Sequence, residues 1–176
     1  KCHLCVTDTV ILGVRVNKSG ILPSPKHCSD IENYPVPKTQ KQCRQFLGLA
    51  GFVSRHVPEA TIILNPLYKL TGPKTPFLWS EEHQKSFDNF KKLATSAPGL
   101  AHRNENWPLF VVSDASGVKI SGILYQKNPK GILEPLSYFS RMLTVAEKRT
   151  GSRTREIYAL ADAIKSFEFY LTGTPF

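Results

Sequence analysis

Methionine occurs once in the 176 residues, at Met142 and not at the first position, so the chain is expected to begin within a longer protein. The opening Lys1-Cys2-His3-Leu4-Cys5 lacks the layout of a secretory signal. No apolar run approaches the ~18 residues that a helix needs to span a bilayer, so no membrane partner is expected. Acidic side chains are the minority: 14 Asp and Glu stand against 23 Lys and Arg, a formal charge of +9 with a pI near 9.5. Both halves of the chain are basic, which gives a polyanionic partner a modest lead over a basic surface that serves solubility alone. Cysteine is scarce. Its four copies, Cys2, Cys5, Cys28 and Cys43, all fall in the first quarter, and without a secretory signal reduced thiols are expected. A zinc site around Cys2-x-x-Cys5 lacks a second pair at matching spacing, and small buried side chains are the plainer reading. Phosphate loops and Gly-x-Ser-x-Gly elbows are absent, and His3, His27, His56, His83 and His102 show no paired metal spacing.

What is present divides by character. Val10 to Val16 is rich in β-branched residues and reads as one strand, with Asn17 to Gly20 as a turn and Ile21-Leu22 as a short return. Pro23, Pro25 and Pro37 bracket a stretch, Lys26 to Tyr34, long enough for about two helical turns. Thr39-Gln40-Lys41-Gln42 has the form of a capping box, and Cys43, Phe46, Leu47, Ala50 and Val53 recur at helical spacing behind it. This predicts a helix from Thr39 to His56, stopped by Pro58. A second helix is predicted over Glu59 to Leu70, ended by Thr71-Gly72-Pro73. A third, capped by Ser80, uses Phe87, Phe90, Leu93 and Ala97 as one face and closes at Pro98-Gly99. Beyond it the pattern turns to strands. Leu109 to Val112 is a continuous apolar run, as for a strand buried on both faces. Lys119 to Gln126 and Leu133 to Ser140 flank a polar turn, giving an antiparallel meander whose third strand, with Pro135, belongs at an edge. Ile157, Leu160, Ala161, Ile164 and Phe167 mark a closing amphipathic helix.

Two carboxylates stand where chemistry is possible. Asp114 follows the buried strand, in Ser113-Asp114-Ala115-Ser116-Gly117. A carboxylate there needs hydrogen bonds or a metal, although the same residues make a good turn in which Asp bonds its own backbone. Glu156 lies one residue before the apolar stripe of the last helix, at its expected core-facing margin. A Glu near a helix N-terminus is also favoured by the dipole alone. Together, the two at the top of one sheet suit divalent cations, since Mg²⁺ prefers oxygen ligands.

Taken in order, the motifs resemble the pol polyprotein of gypsy-type long-terminal-repeat retrotransposons and, more distantly, retroviral reverse transcriptases. Lys1-Cys2 with Val10-x-Leu12-Gly13-x-x-Val16 is similar to the hairpin that carries the primer grip. Pro35-x-Pro37-Lys38-Thr39 and Phe46-Leu47-Gly48-Leu49-Ala50-Gly51-Phe52 resemble the thumb signature. Asn65-Pro66-Leu67-x-x-Leu70 and Phe77-x-Trp79-Ser80 match the next blocks, and Ser96-Ala97-Pro98-x-Leu100 and Ser113-Asp114-Ala115-Ser116 lead into the RNase H region. Leu136 to Leu143, Ala146-Glu147-Lys148 and Arg155-Glu156 complete the series.

The resemblance implies an α+β or α/β chain in three parts. Residues 1–22 would end the polymerase palm as the primer-grip hairpin, and 23–74 would form a small helical thumb. Residues 75–176 would be a linker helix and an incomplete RNase H-like fold, a three-stranded antiparallel meander plus a helix. It implies a reverse transcriptase fragment, an RNA-directed DNA polymerase joined to a ribonuclease H. Leu12, Gly13, Lys38, Arg44, Gly48 and Gly51 would contact primer–template duplex through phosphates rather than base edges. Asp114 and Glu156 would be catalytic and metal-binding residues, holding Mg²⁺ in the complete domain to hydrolyse the RNA of RNA–DNA hybrids. The partners implied are that hybrid, the duplex and the rest of the polyprotein, in an intracellular setting (a cytoplasmic particle or the nucleus). No oligomeric state follows.

There are departures from the family. The Tyr-x-Asp-Asp polymerase motif is missing, as are the further RNase H carboxylates expected after Phe176. Val14 replaces a usual His, and Thr150 and Thr154 stand where Tyr and Glu are common. They leave open a non-catalytic module like the retroviral connection domain, or a domesticated remnant. They also predict negligible hybrid cleavage by this chain alone.

Overall fold

The computed structural model describes residues 4–72, 75–97 and 99–176; Lys1-Cys2-His3, Pro73 and Pro98, which carry part of the zinc, turn and signature readings, lie outside them. The chain divides into two compact units, Lys1–Gly99 and Leu100–Phe176.

The first unit opens with a three-stranded antiparallel sheet, β1 (Asp8–Ile11), β2 (Val14–Asn17) and β3 (Gly20–Pro23), in that order. This corrects the single strand expected over Val10 to Val16. Ile11 pairs with Val14, so the chain reverses through Leu12 (φ +50°) and Gly13 (φ +80°). Positive φ at both central residues is the turn whose twist matches a hairpin, and Gly13 supplies one of them without strain. The β-branched run is continuous in sequence but folded back in space.

Four helices follow: α1 (Pro25–Glu32), α2 (Gln40–Val53), α3 (Ala60–Leu70) and α4 (Glu81–Thr95), with a 3₁₀ turn at Ser54–His56 after α2. Thr39 caps α2 by accepting the Gln42 N–H at 3.2 Å. The reciprocal half of the expected box is shifted by one residue, because the Gln42 side chain accepts the N–H of Lys38 (2.7 Å). The α3 helix starts one residue later than expected, since Glu59 is left-handed (φ +56°) and cannot join it. Ser80 and His83 cap α4 reciprocally. The core lies between the helices: Phe46 is fully buried, with its ring 5.3 Å from Tyr34, 4.6 Å from Phe87 and 6.1 Å from Phe90. Through Phe87, Phe90 and Ala94, α4 packs here, in the first unit. Cys43 is buried with its thiol on the Leu67 carbonyl, and Cys28 sits against that of Ala94. Burial pushes both thiols up. His56 is fully buried, and neither ring nitrogen has a hydrogen-bond partner. Burial first, and the Arg55 charge second, hold its pKa down at about 4.

The second unit is an antiparallel meander, β4 (Leu109–Ala115), β5 (Lys119–Lys127) and β6 (Leu133–Met142), followed by α5 (Ser152–Ser166) and the short α6 (Glu168–Leu171). Pro135 lies on the outer strand β6, as expected. Tyr125 pairs with Pro135 and Leu124 with Ser137, so Leu136 is the extra residue of a bulge that accommodates the missing N–H. Two expectations need correction. Only one face of β4 is buried: Leu109 is covered, whereas Phe110 and Val112 are exposed. The helix layer covers a single side. And α5 presents to the sheet not Ile157, Leu160 and Ile164, which are exposed, but Ala159, Ala163 and Phe167, with Ala161 also outward. Small residues let the helix approach closely, and a methyl group on Gly122 would lie 2.9 Å from Cβ of Ala163. Arg141 ties the unit together. It forms a two-pronged bond to Glu147 (2.9 and 2.8 Å) and another to Asp162 (2.6 Å). The guanidinium, helped by the Thr144 N–H, holds the Glu147 carboxyl down at about 2. Among the described residues no helix is long and apolar enough to cross a membrane.

Candidate nucleic-acid interface and carboxylate pair

Phe46, Leu47, Ala50 and Val53 turn one face of α2 into the core, which leaves Lys41, Arg44, Gln45, Gly48, Gly51 and Phe52 on the outer one, with Arg55 exposed on the 3₁₀ turn that follows. A methyl group built on Gly48 or Gly51 would meet nothing within 4 Å. Each glycine inside a helix costs ~0.5–1 kcal/mol relative to alanine. No packing partner in this unit demands either, so these two leave a bare strip flanked by Lys41, Arg44 and Arg55. Arg44 does more than carry charge. Its guanidinium donates to the Thr71 carbonyl at 2.9 Å and to the Gln40 side chain at 3.0 Å, closing the C-terminal end of α3. Lys38 is exposed just before the cap.

The hairpin tip stands beside this strip. Leu12 is 93% exposed in a conformation that β-carbons disfavour. Ser24 N–H donates to the Gly13 carbonyl at 3.3 Å, which holds the turn to the start of α1. From α1, His27 stacks on Phe52 with centroids 4.7 Å apart at 25°. Phe52 and His27 were not among the site residues read from sequence. Phe52 had a signal, an aromatic four residues after Gly48 and opposite the core face. His27 had none, because its neighbours are distant in the chain.

The pleat of β4 separates the two carboxylates. Ser113 pairs with Gly122, whose face meets α5, so Asp114, paired with Ser121, stands exposed on the other face. The turn after Asp114 is closed by Ser116, whose hydroxyl accepts the N–H groups of Val118 (3.3 Å) and Lys119 (3.1 Å). The local turn therefore rests on Ser116. Glu156 is exposed and lines an open depression of about 430 Å³ with Ser113, Arg153, Ile157 and Leu160. It thus lies next to the residue preceding Asp114. Among the described residues no three His, Cys, Asp or Glu side chains gather as a metal-binding group. Asp114 and Glu156 offer oxygen donors of the kind a divalent cation takes. They do not fit a complete ion site by themselves.

Residues 79–176 match the family described as the RNase H-like domain found in reverse transcriptase. The Gag-Pol polyprotein of Gibbon ape leukemia virus is 34% identical over 173 residues, 98% of this chain and 10% of that protein. The Transposon Tf2-3 polyprotein of Schizosaccharomyces pombe is 24% identical over 174 residues, 99% of this chain and 13% of its own length. The chain therefore spans about a tenth of these relatives. Of solved structures, the foamy viral protease-reverse transcriptase dRH in complex with ds DNA superposes with a TM-score of 0.80 at 25% identity, covering 96% of this chain and 30% of that one. The foamy viral protease-reverse transcriptase in complex with RNA/DNA hybrid gives 0.82 at 24% identity, over 96% of this chain and 23% of that one; it shares the fold.

Proposed function

The chain belongs to the RNase H-like domain family found in reverse transcriptase, and from that premise we propose that it is a piece of a pol polyprotein whose first unit grips primer–template duplex. In this reading residues 1–22 are the end of the palm and 23–74 the thumb. Residues 75–176 are a linker helix and part of the RNase H-like domain. Leu12, Gly13, Lys38, Arg44, Gly48, Gly51 and, additionally, Phe52 face the nucleic acid. The full protein copies RNA into DNA and hydrolyses the RNA strand of hybrids with Mg²⁺, to which this chain contributes Asp114 and Glu156. Its setting is intracellular, in a particle or the nucleus.

One observation carries the grip: Gly48 and Gly51 are exposed, cost helix stability, and a β-carbon at either would meet nothing within 4 Å beyond its own helix. Their service is to let a partner's backbone come close, and the charge of +9 makes that partner a polyanion. Replacing both by alanine should therefore have effects of opposite sign. The thermal midpoint should rise, by the helix term of ~0.5–1 kcal/mol per site. Affinity for a labelled DNA duplex should fall by roughly tenfold, about 1.4 kcal/mol. A variant that is stabilised and binds duplex as before would remove the argument.

A second reading, a non-catalytic module resembling the connection domain, is supported by Thr150 and Thr154, which stand where Tyr and Glu are common in such enzymes. Purified chain with Mg²⁺ and an end-labelled RNA–DNA hybrid should show no cleavage above background under either reading, and robust cleavage would overturn both. In a full-length polyprotein, Asp114→Asn or Glu156→Gln should abolish cleavage under the first reading and leave it intact under the second.

A further inference from the structure

The duplex-facing elements proposed above come from two separate stretches of chain, the hairpin tip at Leu12 and Gly13 and the α2 strip that ends at Phe52. One side chain touches both. His27 stacks its ring on Phe52 at 4.7 Å, and a methyl group on Gly13 would lie 2.5 Å from its Cε1 and 3.1 Å from its Nδ1. The imidazole is thus held between an aromatic face and a bare backbone. Its Nδ1 is buried and makes no hydrogen bond, so on this side what His27 offers Phe52 and Gly13 is the body of its ring. Gly13 is fixed twice over. Its φ of +80° favours glycine, and the ring beside it excludes any β-carbon. Phe52 remains 54% exposed on the side away from His27, a hydrophobic plate at the end of the glycine strip.

We propose that His27 is a positioning residue for duplex binding, a planar spacer that sets the hairpin tip at a fixed distance from Phe52 so that both reach one duplex together. The proposal rests on the grip reading of this unit. Without the ring, Phe52 loses its stacking partner and Gly13 its wall. The tip and the plate then move independently, and the entropy of aligning them falls on the binding step. A ring of similar area restores the spacing whatever its nitrogen content.

The test is equilibrium binding of a fluorescein-labelled DNA duplex by the whole chain, with thermal melting as a folding control. His27→Ala should weaken binding about three- to tenfold, the range an aromatic pair contributes, and His27→Phe should return it to within about twofold of wild type. In a Phe52→Ala background, His27→Ala should add much less than it does alone, because it acts through that ring. Gly13→Ala, which displaces the ring from the opposite side, should reproduce the loss and stands in if His27→Ala does not fold. Full affinity in a folded His27→Ala, with Phe52→Ala weakened, overturns the spacer and leaves the grip reading standing. Equal weakness of His27→Phe and His27→Ala also overturns it, by showing that the nitrogens matter. Failure of the wild-type chain to bind duplex overturns the grip reading and the spacer with it.

Discussion

Replacing Phe46 by alanine should lower the stability of the first unit by about 3–5 kcal/mol, the cost of emptying a large aromatic site that the surroundings only partly refill. Phe46 is fully buried, and its ring joins Tyr34 from the segment after α1 to Phe87 and Phe90 of α4. Three elements therefore lose contact at once. Phe46→Leu, which keeps most of the apolar volume, should cost less than half as much. The chain has two tryptophans, one in each unit, and Trp79 lies 5.9 Å from Phe87, edge to face. In a Trp107→Phe background, urea unfolding followed by Trp79 fluorescence reads this unit alone. An unchanged midpoint would mean that the aromatic cluster is not what holds the helices together.

The second large effect is on pH. His56 has its pKa held at about 4 by burial, against an ordinary 6.5. The unfolded chain therefore takes up this proton more readily than the folded one. Stability of the first unit should be level above pH 6.5, fall as pH drops from 6.5 towards 4, and level off below, a loss of roughly 3 kcal/mol from this group. His56→Leu should flatten that slope. The Trp79 readout separates it from Glu147 in the second unit, whose contribution is present above pH 4.5 and fades as pH falls towards about 2. A slope between pH 6.5 and 4 that survives His56→Leu would assign the effect to other groups.

The fold was legible in the sequence where the signals are local. The Thr39 cap, the α2 core face and the Ser80 cap each lie within one or two helical turns, and so does the placing of Pro135 at an edge. It was illegible where two local solutions compete. The stretch from Val10 to Val16 has strand propensity throughout, and only the backbone angles of Leu12 and Gly13 show the reversal. In α5 both Ile157–Leu160–Ile164 and Ala159–Ala163–Phe167 have helical spacing. Residue size favoured the first, while close approach to Gly122 selected the second. Within the site, the glycines and carboxylates were reached through ordered motifs. His27 was out of reach, since its two neighbours lie 14 and 25 residues away along the chain. The side to which β4 sends Asp114 depended on register with β5, which the apolar run could not fix.

The outward stripe of α5 makes the chain respond to ionic strength in two opposed ways. Ile157, Leu160 and Ile164 offer one chain an oily patch for another, while the shared charge of +9 keeps like molecules apart. Added salt shortens the reach of that repulsion and leaves the patch untouched. If the first unit grips duplex as proposed, added salt weakens that hold as well, by taking back the entropy of released counterions. Dilute buffer therefore favours dispersed chains, and concentrated buffer favours chains that find each other.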